Sequence, residues 1–162
     1  MIVLGIDPGT RVTGYGVLHV DGNRYRHVDN GCIVPPASAE MPKRLMAIFA
    51  KLEELIATFE PDALAVERVF FAKNVASALT LGQCRGLALA AAGRHDIPVH
   101  EYSATQIKQA VTGYGRSGKE QIQKMVRMLL GLPEVSQSDA ADALAIALCH
   151  AQSYPMAKKM AL

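Results

Sequence analysis

MIVLGIDPGTRVTGYGVLHVDGNRYRHVDNGCIV, residues 1–34, opens on an apolar run that stops at Asp7. Apolar residues without polar alternation over about six positions predict a strand covered on both faces. Pro8-Gly9 then marks a turn. GYGVLHV (14–20) reads as a second strand, Asp21-Gly22-Asn23 as a hairpin turn and RYRHVDNGCIV (24–34) as a third strand. Three strands joined by short loops make an antiparallel meander.

Working outward, the next segment changes period. In PKRLMAIFAKLEELIATFE (42–60), Leu45, Ile48, Leu52, Leu55, Ile56 and Phe59 share one helical face, and Pro61 stops the helix. ALAVER (63–68) is a fourth strand. NVASALTLGQCRGLALAAAG (74–93) is a long Ala/Leu helix whose apolar surface exceeds one stripe, which predicts burial on several sides, within the fold or against a second copy. IPVHEY (97–102) is a fifth strand, and SATQIKQAV (103–111) a helix capped by Ser103. GYGRSG (113–118) reads as a flexible loop, followed by helices over 119–131 and 138–151. The order βββαβαβαα predicts an α/β domain with a five-stranded mixed sheet, three antiparallel strands and then parallel ones, flanked by helices. That is the order of the ribonuclease H-like fold. One domain over 1–152 is expected, with 153–162 as a flexible tail.

Composition sets bounds. The 162 residues are 50% apolar, enough for one substantial core. No unbroken apolar run approaches the roughly 20 residues of a membrane span, and the N-terminus lacks the basic flank of a signal peptide. Cys32, Cys84 and Cys149 are far apart and odd in number, which suggests reduced thiols in a cytoplasm. The net charge of +2 hides an asymmetry: residues 1–67 are net −3 and residues 68–127 net +6. A basic middle suits either a phosphate-rich partner or simple solubility.

Four acids stand out. Asp7 closes the first strand and Glu67 the fourth; if those strands are parallel neighbours, both emerge at the carboxyl edge where α/β sheets place their sites. Asp139 and Asp142, three apart on a helix of Ala, Leu and Ile, share a face that would dock on the sheet. Taken singly, each has another reading. Acids in a first helical turn complement the macrodipole, Ser136 with Asp139 resembles a capping box, Asp7 suits a turn, and Glu67 could pair with Arg68 or Lys73. Taken together they define a site. Two carboxylates about 5 Å apart repel by roughly 3 kcal/mol at an effective dielectric near 20, so four need cations among them. All-oxygen ligands favour Mg²⁺ or Mn²⁺ over zinc. Two such ions suit in-line displacement at phosphorus, with the basic segment holding a polyanion.

GIDPGTRVTGYGVL (5–18), ERVFFAKN (67–74), LGQCRG (81–86) and SDAADALAIAL (138–148) resemble, in order and spacing, segments of the RuvC family of bacterial Holliday-junction resolvases. The resemblance covers residues 1–152. It implies a ribonuclease H-like homodimer that makes paired nicks in four-way junction DNA and works with the RuvA–RuvB branch-migration machine. It implies that Asp7, Glu67, Asp139 and Asp142 are the catalytic, metal-binding acids for two Mg²⁺ ions, that Phe70 stacks on a base, and that Lys108 and Lys119 are catalytically important. Lys73, Arg85, Arg116 and Lys124 are further candidate DNA contacts; Ala76, Ala78, Ala88 and Ala91 would permit close helix approach in a dimer.

Three rivals stand beside it. GIDPGT also resembles the phosphate loop of actin-like ATPases and sugar kinases, whose second domain 162 residues cannot supply. A ribonuclease H acting on RNA–DNA hybrids would share fold and acids. A junction-binding module with a silent site would need none of the four acids that are present.

Overall fold

The N-terminal apolar run is the middle strand of a five-stranded sheet in a computed structural model describing residues 1–68, 75–135 and 137–160, with side chains described to residue 153 of the last segment. The strands are β1 (Ile2–Asp7), β2 (Thr13–Asp21), β3 (Arg24–Ile33), β4 (Ala63–Glu67) and β5 (Val99–Tyr102); the helices are α1 (Met41–Phe59), α2 (Val75–Arg94), α3 (Ala104–Thr112), α4 (Lys119–Leu130) and α5 (Ser138–Met160). Across the sheet the order is β3-β2-β1-β4-β5. β1 pairs antiparallel with β2 and parallel with β4, and β4 pairs parallel with β5. The meander and the parallel additions are those expected from the sequence.

Each face of the sheet has its own core. Val3, Leu18 and Ala65 pack with Ile107, Val111, Ile122, Val126 and the Ala/Leu wall of α5. Leu4, Ile6, Val17, Leu64 and Val66 pack with the apolar stripes of α1 and α2. This is why β1 shows no polar alternation: neither face sees water.

Glycine decides how close α5 comes. Gly5 and Gly16 are cross-strand partners, and Gly14 stands opposite Asp7. A Cβ on Gly16 would meet Leu144 Cδ2 at 2.7 Å and Leu144 N at 2.9 Å. On Gly5 it would meet the Ala143 carbonyl and, at 2.9 Å, Ala147 N; on Gly14 it would strike the Asp139 carbonyl. The helix backbone therefore lies directly on a side-chain-free patch of β1 and β2.

Four expectations change. α5 continues through 153–160, the segment expected as a frayed tail, because adding residues to an established helix is cheap. The 113–118 loop is pinned: Ser117 is buried, its hydroxyl lies 2.6 Å from Thr112 Oγ1, and it donates to the Tyr114 carbonyl at 2.8 Å. α2 buries only Cys84, Ala88, Ala91 and Ala92, so Ala88 and Ala91 serve the core, while Val75 and Leu79 remain 75% and 67% exposed. By length and composition α2 also passes as a bilayer span, contrary to the absence expected from unbroken runs. Its buried stripe nevertheless packs with α1 residues, and Arg85 at mid-helix is ion-paired with Glu101 of β5.

Candidate active site

Asp7 and Glu67 terminate parallel neighbours, one register step beyond the Ile6–Val66 pair, so both leave the same carboxyl edge. Strand alternation puts Asp7 on the face of Val3 and Gly5, and Glu67 on that of Ala65, which is the face α5 covers. The glycine patch sets the first turns of α5 over the end of β1, bringing Asp139 and Asp142 with it. Asp7, Glu67 and Asp142 line one cavity of about 260 Å³ together with Lys108 from α3 and Lys119 from α4. Ala104, Ile107, Ile122, Ala145 and Ile146 complete its apolar wall. Asp139 turns to an adjoining groove, lined by the Gly9–Val12 loop and by Ala76, Ser77, Thr80 and Leu81 of α2.

The electrostatics of this edge are strained. Burial first, then the charges of Asp142, Glu67 and Asp139, push the Asp7 carboxyl up to about 7, against a smaller opposing effect of Lys119. Burial and Asp142 also raise Glu67, while Lys108 acts the other way. Lys119 donates to Asp142, Nζ to Oδ2 3.0 Å, and that hydrogen bond is the main cause of its raised pKa. The described cavity lining offers only oxygen donors to a cation, a set that fits Mg²⁺ or Mn²⁺. The acids are not a finished cage: among the described residues no three His, Cys, Asp or Glu groups gather closely enough to hold an ion as they stand. Asp7, Glu67 and Asp142 share one cavity, whereas Asp139, expected in the same pocket, lines the adjoining groove because it sits nearly a turn earlier on α5.

A pH-dependent stability follows. Asp7 ordinarily titrates near 3.8 and in the fold near 7. Its protonated form therefore favours the folded state below about 4, and that contribution is lost as pH rises through 7. Without metal, Asp7→Asn is expected to raise Tm by roughly 5 °C or more at pH 8 and by only about 2–4 °C at pH 4.5. Scanning calorimetry in EDTA at both values checks this; a pH-independent difference would show that Asp7 is not the strained group.

The comparisons with known proteins now bear on this geometry. Residues 3–150 match the family model described as crossover junction endodeoxyribonuclease RuvC. Proteins named crossover junction endodeoxyribonuclease RuvC from Geobacter sp. (strain M21) and Citrifermentans bemidjiense are 56% and 57% identical, covering 96% and 94% of this chain and 95% and 93% of theirs. The chain belongs to the RuvC family. Its fold also superposes on T. thermophilus RuvC in complex with Holliday junction substrate, with a TM-score of 0.92 and 38% identity over 97% of this chain and 96% of that one.

Set in a RuvC-family fold, the remaining candidates separate. Lys108 and Lys119 reach the cavity. Arg116 is exposed in the loop before α4. Arg85, expected as a DNA contact, is engaged within the fold. Its guanidinium pairs with Glu101, whose other oxygen lies 3.6 Å from Arg68 Nε, so it ties α2 to β5. Lys124 lines a separate surface cleft with Glu120, Arg127 and Glu134. Phe70, Lys73 and Ser136 lie outside the described residues. Two supporting residues were missed in the sequence. Buried Thr13 donates to the Gly9 carbonyl at 2.7 Å, and Arg44 of α1 donates to the Thr10 carbonyl at 2.6 Å. Together they fix the turn that follows Asp7. A Thr shortly after a Pro-Gly turn is a faint signal for the first; nothing local announces the second.

Proposed function

We propose that this chain is a Holliday-junction resolvase, a divalent-metal-dependent endonuclease that makes symmetric nicks in four-way DNA junctions during homologous recombination and repair. The observation that carries this is the meeting of Asp7, Glu67 and Asp142 with Lys108 and Lys119 in one cavity of a RuvC-family chain. Asp7, Glu67, Asp139 and Asp142 would hold two Mg²⁺ ions, with Mn²⁺ the alternative. Bound there, the ions supply an activated water and neutralise charge at the scissile phosphate.

The chain's own residues do the positioning. Asp7 and Glu67 stand on strand ends, and the two aspartates on a helix seated against backbone, so only side-chain rotation is needed to bring the carboxylates onto an ion. Lys108 and Lys119 face the same space and can offer ammonium donors to phosphate oxygens as negative charge develops. The exposed Val75 and Leu79 of α2 suit a homodimer, whose twofold axis would present one site to each of two equivalent strands. Phe70 would stack on a base beside the crossover, and RuvA–RuvB would deliver the junction. Three free cysteines suit the reducing cytoplasm, where the DNA lies.

The test is Mg²⁺-dependent nicking of a synthetic four-way junction, with linear duplex and an RNA–DNA hybrid alongside. Preference for the hybrid would transfer the chain to ribonuclease H chemistry. Phe70→Ala is expected to lower junction nicking by about 5- to 150-fold, the roughly 1–3 kcal/mol of one base–aromatic stack, while leaving Mn²⁺ affinity unchanged. Undiminished nicking by that variant would remove the stacking role.

A further inference from the structure

We infer that Lys119 is the resident counter-ion of the acidic edge, a cation that divalent ions must displace from Asp142 and that is thereby freed to meet the scissile phosphate. This deepens the metal-dependent reading above and rests on it. Lys119 Nζ sits 3.0 Å from Asp142 Oδ2, one of the two oxygens that side chain can offer an ion. The contact is not one the helix favours. Lys119 is the first residue of α4, after Gly118, which provides no side-chain cap. A cation there opposes the macrodipole, so the acids, not α4, hold the ammonium in place.

The surroundings permit exchange. The Lys119 side chain is 59% exposed, on a flexible four-carbon stem, whereas the backbone before it is pinned through buried Ser117. Displacement therefore needs only side-chain rotation. Lys108 provides an internal contrast: it lines the same cavity, yet forms no ion pair among the described residues. Any cation in the cavity repels an incoming ion through space, but among the described residues only Lys119 is hydrogen-bonded to one of the cavity's acids.

The experiment is Mn²⁺ titration by electron paramagnetic resonance of wild type, Lys119→Met and Lys108→Met, without DNA, at low salt and pH 8. Lys119→Met is expected to tighten Mn²⁺ binding roughly tenfold or more, and Lys108→Met by no more than about threefold, because direct occupancy adds to the through-space repulsion both lysines exert. Lys119→Gln should reproduce the first result if the methionine variant folds poorly. Equal affinities for wild type and Lys119→Met, or an equal gain in Lys108→Met, would overturn the inference while leaving a metal site. Folded wild type and variants that all fail to bind Mn²⁺ would overturn the metal reading and this inference together.

Discussion

Asp7→Asn is expected to reduce single-turnover junction nicking at least about 1,000-fold, while junction affinity stays within about threefold of wild type. Asn preserves the shape of the side chain and one carbonyl oxygen but removes the charge. That charge matters most at Asp7 because it is the group the other three acids surround: Asp142, Glu67 and Asp139 all act on it. Asp7 also stands on the central strand, with its following turn fixed through Thr13 and Arg44, so neither neighbouring chain nor loop movement can supply a substitute carboxylate. Binding should survive because the basic segment, net +6 over residues 68–127, is unchanged, and loss of one negative charge removes repulsion. A loss of nicking from misfolding is distinguishable, since the same variant is expected to melt higher than wild type at pH 8 without metal. Nicking retained within tenfold by a folded variant would take Asp7 out of the mechanism.

Much of this site was legible in the sequence because its two strand acids obey one-dimensional rules. An apolar run ending in Asp, and another ending in Glu, mark the carboxyl ends of two buried strands; the parallel pairing of β1 with β4 does the rest. The α5 acids were legible for a similar reason, as the only charges in a wall of Ala, Leu and Ile. What stayed hidden depends on how elements cross. Arg85 and Glu101 lie on different elements, α2 and β5, and only their placement in the fold pairs them, so a surface charge in a basic segment was the natural expectation for Arg85. The Lys119–Asp142 contact likewise requires α4 and α5 to be placed side by side. The surplus apolar surface of α2 was visible in the sequence, but which stripe enters the core was settled by α1. The glycines of GIDPGTRVTGYGVL read as part of a motif; their use emerged only when Gly5 paired with Gly16 beneath a helix.

That use leads to the second large effect, one on fold and activity at once. Gly5→Ala adds a methyl group where Ala143 and Ala147 present a carbonyl, an amide nitrogen and a Cβ. Backbone cannot rotate out of the way as a side-chain tip can, so α5 must lift or the sheet must bend. Overpacking of this kind costs typically 1–3 kcal/mol, and contact with fixed backbone puts Gly5→Ala at about 3 kcal/mol or more. In a chain of this length that lowers Tm by roughly 6–12 °C. The consequence for chemistry is separate. Ala143 follows Asp142 directly, so a helix displaced by about 1 Å carries a proposed metal ligand out of place, and misplacement on that scale can lower a rate about 100-fold. Assayed well below its melting temperature, Gly5→Ala should therefore nick junctions about 100-fold more slowly than wild type. Gly93→Ala is the matched control, because a Cβ there meets nothing within 4 Å at an exposed position near the end of α2, and it should be neutral or stabilise by up to about 1 kcal/mol. If Gly5→Ala melts and nicks like Gly93→Ala, then α5 is not held against bare backbone, and the seating of Asp139 and Asp142 over Asp7 needs another cause.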